Sequence, residues 1–299
     1  MRPRGYLPDL SILNKPSLAA SSRGRFPKPG DGSFRAIKRL LMALLLCLST
    51  QVFPQQRFLG VWQESEKKER VLGDASAKTF EDTYRSLLKK GFLLTDIEVV
   101  DQGGQKKYYG VWHSGSDSCA IYADSWEPFL ARSNDLNTKG LRLIDIETFA
   151  EGKQRKYVGA WRKDSYTERL QAGLAWPEFY KVWEQNKKDG LVLIDVETYL
   201  DERERKFIGV WKSDGRESNI WKDLDWKTFA VIHKGLQEQK FQLIDLETYT
   251  TDNERKFMGV WVKSPGEQRM VVDANWSEFM NQWEEIGKDN LWLIDLEVY

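Results

Sequence analysis

Two residue patterns in this 299-residue sequence have the types and spacing to do chemistry, and both recur five times. In the first, Gly60, Gly110, Gly159, Gly209 and Gly259 each stand two positions before a tryptophan: Trp62, Trp112, Trp161, Trp211 and Trp261. Residues two apart on an extended strand share a face, so the glycine leaves a slot beside the indole that could take a sugar or a peptide. These five tryptophans are the candidate ligand-binding residues. The competing expectation is that a neighbouring side chain fills the slot and the indoles form a repeated core.

The second pattern is a pair of carboxylates two apart: Asp96 and Glu98, Asp145 and Glu147, Asp195 and Glu197, Asp245 and Glu247, Asp295 and Glu297. Ten carboxylates in register could do acid–base work or bind calcium. Each adjoining hairpin also carries cations, Arg155 and Lys156, Arg205 and Lys206, Arg255 and Lys256. Cross-strand ion pairing therefore accounts for the pattern without a ligand, and it is the expected arrangement.

Other constellations carry less. Ser65 to Lys68 and Ser86 to Lys89 fit Ser-x-x-Lys, a pattern that a lysine-rich chain produces by chance, and neither has the further motifs of such hydrolases. The histidines, His113 and His233, have no counterparts at the other repeats and read as ordinary surface or helix residues. With two cysteines, Cys47 and Cys119, no disulfide framework or Cys/His zinc spacing exists, and Cys119 reads as a small buried hydrophobe. No cofactor and no metal are expected, and the chain is expected not to be an enzyme.

The elements that must position these residues follow from the period. The glycines are spaced by 50, 49, 50 and 50 residues, and Phe80, Phe129, Phe179, Phe229 and Phe279 recur half a period on, with Trp126, Trp176, Trp226 and Trp276 three residues before the last four. Segments such as Lys256 to Trp261 and Leu291 to Tyr299 alternate faces and predict strands, joined between copies by hairpins such as Thr250 to Glu254. A weaker strand is predicted near Arg269 to Val272. Ser76, Ser125, Asp225 and Asn275 sit where a helix N-cap is needed, with Ala175 the exception, and Asn275 and Glu278 have capping-box spacing. Gly91, Gly140 and Gly190 stop the helix, with Asn290 a substitute and Lys240 a departure.

The predicted fold is α+β: five tandem ββαβ repeats over residues 58–107, 108–156, 157–206, 207–256 and 257–299, forming a closed propeller-like ring. The alternative is a short open curved solenoid, which would leave Leu293, Ile294 and Leu296 on a bare edge.

Residues 1–57 read as a disordered basic leader plus a signal peptide. Nine Arg and Lys stand against Asp9 and Asp31 before Leu40, and Lys38 and Arg39 precede an apolar run from Leu40 to Leu48. That run is about half the ~20 residues a spanning helix needs, so a cleaved signal is expected rather than a permanent membrane span. A lipidated Cys47 is the weaker alternative. The acidic remainder argues against nucleic acid.

The unit Leu191 to Tyr199, then Arg205 to Trp211, then Trp226 to Phe229, resembles the bacterial tandem repeat domain found beside the β-lactamase-like serine hydrolase domain of polyglycine hydrolases. The resemblance covers residues 58–299. It implies a secreted accessory module with no catalytic residue to transfer. Lys stands before the strand aromatic in most copies, where that family more often has Arg. The resulting expectation is an exported, monomeric, non-catalytic repeat protein. It would present variable loops such as Ser114 to Ser118 and Ser213 to Ser218 to a protein, peptide or glycan at the cell surface. The alternative is a secreted hydrolase, serine- or carboxylate-based, with its site assembled between repeats.

Overall fold

The computed structural model describes residues 56–299. The leader, the signal peptide and Cys47 all fall on residues 1–55, outside the described residues. Gln56 and Arg57, assigned above to the leader, belong to the folded part: Arg57 and Tyr299 exchange both backbone hydrogen bonds, at 2.6 and 2.9 Å.

Each repeat is strand, strand, helix, strand. The first comprises β1 (Phe58–Glu64), β2 (Glu69–Ala75), α1 (Ala77–Lys89) and β3 (Phe92–Gln102). The second has β4 (Gln105–Ser114), β5 (Cys119–Asp124), α2 (Trp126–Thr138) and β6 (Leu141–Glu151). The third has β7 (Gln154–Lys163), β8 (Glu168–Leu174), α3 (Trp176–Lys188) and β9 (Leu191–Asp201). The fourth has β10 (Glu204–Ser213), β11 (Ser218–Leu224), α4 (Trp226–Glu238) and β12 (Phe241–Thr251). The fifth has β13 (Glu254–Lys263), β14 (Gln268–Ala274), α5 (Trp276–Gly287) and β15 (Leu291–Val298).

The helix ends follow the sequence closely. Ser76, Asp225 and Asn275 accept from the backbone N–H three residues on, and Asn275 with Glu278 completes a capping box. Ser125 makes no such bond. The residue three positions on is Pro128, which has no N–H to give, so the Ser125 hydroxyl turns to Asp124 instead. At the other end Gly91, Gly140 and Gly190 have φ of +78°, +75° and +78°, and Lys240 adopts the same left-handed backbone at +67°. The departure there is one of residue type, not of conformation.

The hairpins between repeats are the sheet units. Three-stranded antiparallel sheets have the orders β2-β4-β3, β5-β7-β6, β8-β10-β9 and β11-β13-β12, so the glycine-tryptophan strand of one repeat lies between two strands of the preceding one. The fifth sheet is β14-β1-β15, in which the strand that opens the first repeat takes the central place between two strands of the last. Inner strands pack edge to edge in the succession β3, β6, β9, β12, β15, and β15 packs against β3.

Both faces of each central strand are buried, in two different cores. Phe58 and Trp62 lie with Phe279 of α5, whereas Leu59 and Val61 on the opposite face join Phe229 and Trp261. In the same way Tyr109 and Val111 enter the core of Trp62, Val158 and Ala160 that of Trp112, Ile208 and Val210 that of Trp161, and Met258 and Val260 that of Trp211. Alternation along one strand thus welds adjacent units, which is why a single fifty-residue unit has no complete core of its own. Among the described residues no helix is long and apolar enough to cross a membrane.

Candidate functional site

The tryptophan pattern resolves first. Trp62, Trp112, Trp161, Trp211 and Trp261 are all 0% exposed. Each indole lies 5.3 to 5.4 Å from the helix phenylalanine of the same core: Phe279, Phe80, Phe129, Phe179 and Phe229 in turn. The slot made by the glycine is occupied by the indole itself, since a Cβ on Gly209 would stand 2.4 Å from the outer ring edge of Trp211 and 2.9 Å from Leu193. Glycine is needed here for close approach, and no indole face is left for a sugar or peptide to stack on. The reading of these tryptophans as a binding platform is corrected accordingly.

The indole nitrogens separate the repeats. Trp261 Nε1 donates to His233 Nδ1 at 3.1 Å, while Nε1 of Trp62, Trp112, Trp161 and Trp211 has no partner among the described residues. His233 is buried, and desolvation lowers its pKa to about 4. His113 is buried too, its Nε2 lying 2.8 Å from the Leu293 carbonyl oxygen. His233 is a helix residue, as one of the two readings had it, but a buried one, and His113 is a buried strand residue and not a surface one. Cys119 is buried beside Tyr84, and burial raises the pKa of both.

The carboxylates converge. Each inner strand has a register shift at the residue before its aspartate, which places Thr95, Ile144, Ile194, Ile244 and Ile294 as extra residues opposite the central strand. A β-bulge of this kind turns the following side chain out of the regular pleat. The five aspartates then hydrogen-bond from strand to strand. Ile97 N donates to Asp145 at 3.0 Å, Ile146 N to Asp195 at 3.2 Å, Val196 N to Asp245 at 3.1 Å and Leu296 N to Asp96 at 2.7 Å. Leu246 N serves Asp295 in the same way. In the glutamate layer, Thr198 Oγ1 donates to Glu247 at 2.8 Å and Thr248 N to Glu297 at 3.2 Å.

Eight of these ten residues are buried, and Glu147 and Asp295 are half-buried. Burial raises the pKa of all ten, and like-charged neighbours add to it: Asp195 at Asp145, and Glu197 at Glu147. Asp96 and Glu247 are pushed up to about 7. Each carboxyl therefore keeps its proton to a higher pH than a solvated one does.

The expected ion pairs are absent among the described residues. Arg155, Arg205 and Arg255 instead lie over the rings of Tyr199, Tyr249 and Tyr299 at 4.1, 4.1 and 4.4 Å, each reaching from one sheet to the next within its repeat, and donate to Thr148, Thr198 and Thr248. Lys156 pairs with Asp124, Lys206 with Glu204 and Lys256 with Glu254. Among the described residues no three His, Cys, Asp or Glu side chains stand in an arrangement that could hold a metal ion.

Beside the aspartate layer the bulge residues open onto a cavity of about 390 Å³. Thr95, Ile144, Ile194 and Ile294 contribute to its wall, together with Arg162 and Lys212. Its lining comes from all five repeats. No spacing signal in the sequence marks it, because its cations occur in single repeats and not in the shared pattern.

Sheets built across unit boundaries and cores shared by neighbours define a tandem α+β repeat protein. The family model described as polyglycine hydrolase-like, structural repeat, matches residues 71–115, 116–164, 170–214 and 223–264, together more than half of the chain. The chain belongs to that family of structural repeats, as the resemblance of its strand and helix motifs implied. A comparison with curated proteins finds no matching relative.

Proposed function

We propose that the five repeats close into a propeller-like ring, and that the chain is an exported, non-catalytic module whose ring serves binding or scaffolding. The succession of backbone-to-aspartate hydrogen bonds supports closure, because the bond from Leu296 N to Asp96 joins the last inner strand to the first as the others join neighbours. The pairing of β1 with β14 and β15 supports it as well. Lys38, Arg39 and the apolar run from Leu40 to Leu48 support export.

The observation that carries the binding role is the cavity on the bulge residues. It is the place where side chains of all five units meet an opening, whereas the tryptophans and most of the carboxylates are sealed inside. Carboxylates buried without an ion pair among the described residues suit packing better than turnover, which favours the binding role over a carboxylate hydrolase. A glycan and peptide array probed with the protein tests the reading, and specific retention is expected. Product formation that disappears in Glu197→Gln would instead establish the hydrolase. For closure, a variant lacking residues 58–64 is expected to lose its cooperative unfolding transition; a transition kept at full amplitude would favour the open solenoid.

A further inference from the structure

We propose that the cavity on the bulge residues binds a small organic oxyanion, a carboxylate or phosphate group carried on an apolar body. This deepens the reading of the chain as a binding module and rests on it.

The residue after each core tryptophan faces a seam between neighbouring units, and the five copies differ: Gln63, His113, Arg162, Lys212 and Val262. Gln63 Nε2 donates to the Leu243 carbonyl at 2.8 Å, and His113 Nε2 reaches the Leu293 carbonyl at 2.8 Å, so these two close their seams. Arg162 and Lys212 do not. The Arg162 side chain has neither a hydrogen bond nor an ion pair among the described residues, and it lines the cavity. Lys212 lines it too, held only by a 3.6 Å contact with Asp214 and by the Tyr166 ring at 5.8 Å.

Four cations, Lys67, Arg162, Lys163 and Lys212, contribute to the lining against Asp117 and Asp164. Lys67 feels its neighbour: burial and then the Arg162 charge lower its pKa, while burial lowers that of Arg162 against the opposing pull of Asp117 and Asp164. An oxyanion placed among these groups would relieve the repulsion and engage the free guanidinium fork, which matches a carboxylate or phosphate edge. Ile144, Ile194 and Ile294 supply the apolar surface for the rest of the molecule, and about 390 Å³ lies within the range of small-molecule sites.

The test is calorimetric titration of the full chain at low salt with hexanoate, acetate and inorganic phosphate in separate arms. Saturable binding is expected, with hexanoate tighter than acetate because of the isoleucines, and with phosphate competing for the same site. Arg162→Gln is expected to weaken binding by about tenfold or more, as loss of a charge-assisted fork should. Lys188→Gln, a control on the exposed face of α3, should bind like the parent. If Arg162→Gln does not fold, Lys212→Gln takes its place, with a loss of about threefold expected. A folded parent that binds none of the three anions would overturn the proposal while leaving the scaffold reading to the array. Unchanged affinity in a folded Arg162→Gln would overturn it as well.

Discussion

The sheet-to-helix layer and the carboxylate layers are built from the same inner strands a few residues apart, yet opposite physics holds them. At Leu193 the side chain joins Trp211 and Phe179 in a dry apolar core. At Asp195 and Glu197 the strand turns ionisable groups into an equally buried place, with no ion pair to them among the described residues. The apolar layer gains stability from buried area and shape, and any change of volume is felt. The acidic layers are tolerated because each aspartate takes a backbone N–H from a neighbour and the carboxyls hold protons. One set of strands thus contains a part insensitive to pH and a part that titrates.

The largest expected effect breaks the apolar side. Phe129→Ala removes a fully buried ring packed on Trp161 and Tyr157, and it should cost about 3–5 kcal/mol in denaturant unfolding, as such truncations do. A loss below about 1 kcal/mol would mean the core is not shared as described. Next comes overpacking. Gly209→Ala drives a methyl group into Trp211, a buried ring that cannot swing away, and should destabilise by about 1–3 kcal/mol.

The acidic side is sharpened by pH. A carboxyl whose pKa is raised on folding stabilises the fold fully below its unfolded value near 4, and that contribution is lost as pH rises through the folded value. With Asp96 and Glu247 at about 7 and the others raised too, the melting temperature should fall between about pH 4 and about pH 7, where the unfolded chain has released protons that the folded one keeps. His233 acts in the other direction within that window: its lowered pKa gives a contribution present above about 6.5 and lost toward 4, one group set against ten carboxyls. Glu197→Gln should flatten this fall, and a melting temperature that rises over this range would contradict buried carboxyls of raised pKa. The smallest effect is at the clamps, where Arg205→Ala loses a stacked guanidinium over Tyr249 and should cost about 1 kcal/mol or less by thermal unfolding.

Much of the apolar side was readable from residue order. Asn275 with Glu278, Gly91, Gly140 and Gly190, and the alternation of Lys256 to Trp261 each encode a local geometry, and those geometries appear where they were expected. The acidic side was not readable in the same way. Strand periodicity says that Asp195 and Glu197 share a face, but not whether that face meets water, and charged residues default to the solvent side. The bulges at Ile144 and Ile194 add a single residue inside a regular run, which leaves no trace in the pattern. Arg205 was paired with the carboxylates because charge is visible in a sequence, whereas the ring it covers, Tyr249, lies more than forty residues on, in the neighbouring sheet. Arg162 and Lys212 escaped notice for the opposite reason, since a search for what repeats discards what differs.

The antiparallel pairing of β1 with β15 has a mechanical consequence. Phe58 faces Val298 and the Arg57 backbone is bonded to Tyr299, so the two ends of the folded chain leave from the same corner of one sheet. Tension applied between those ends loads that ladder one rung at a time, as a zipper, rather than spreading over all rungs together. The molecule should therefore yield at low pulling force, with the seam between first and last strands parting before any interior repeat.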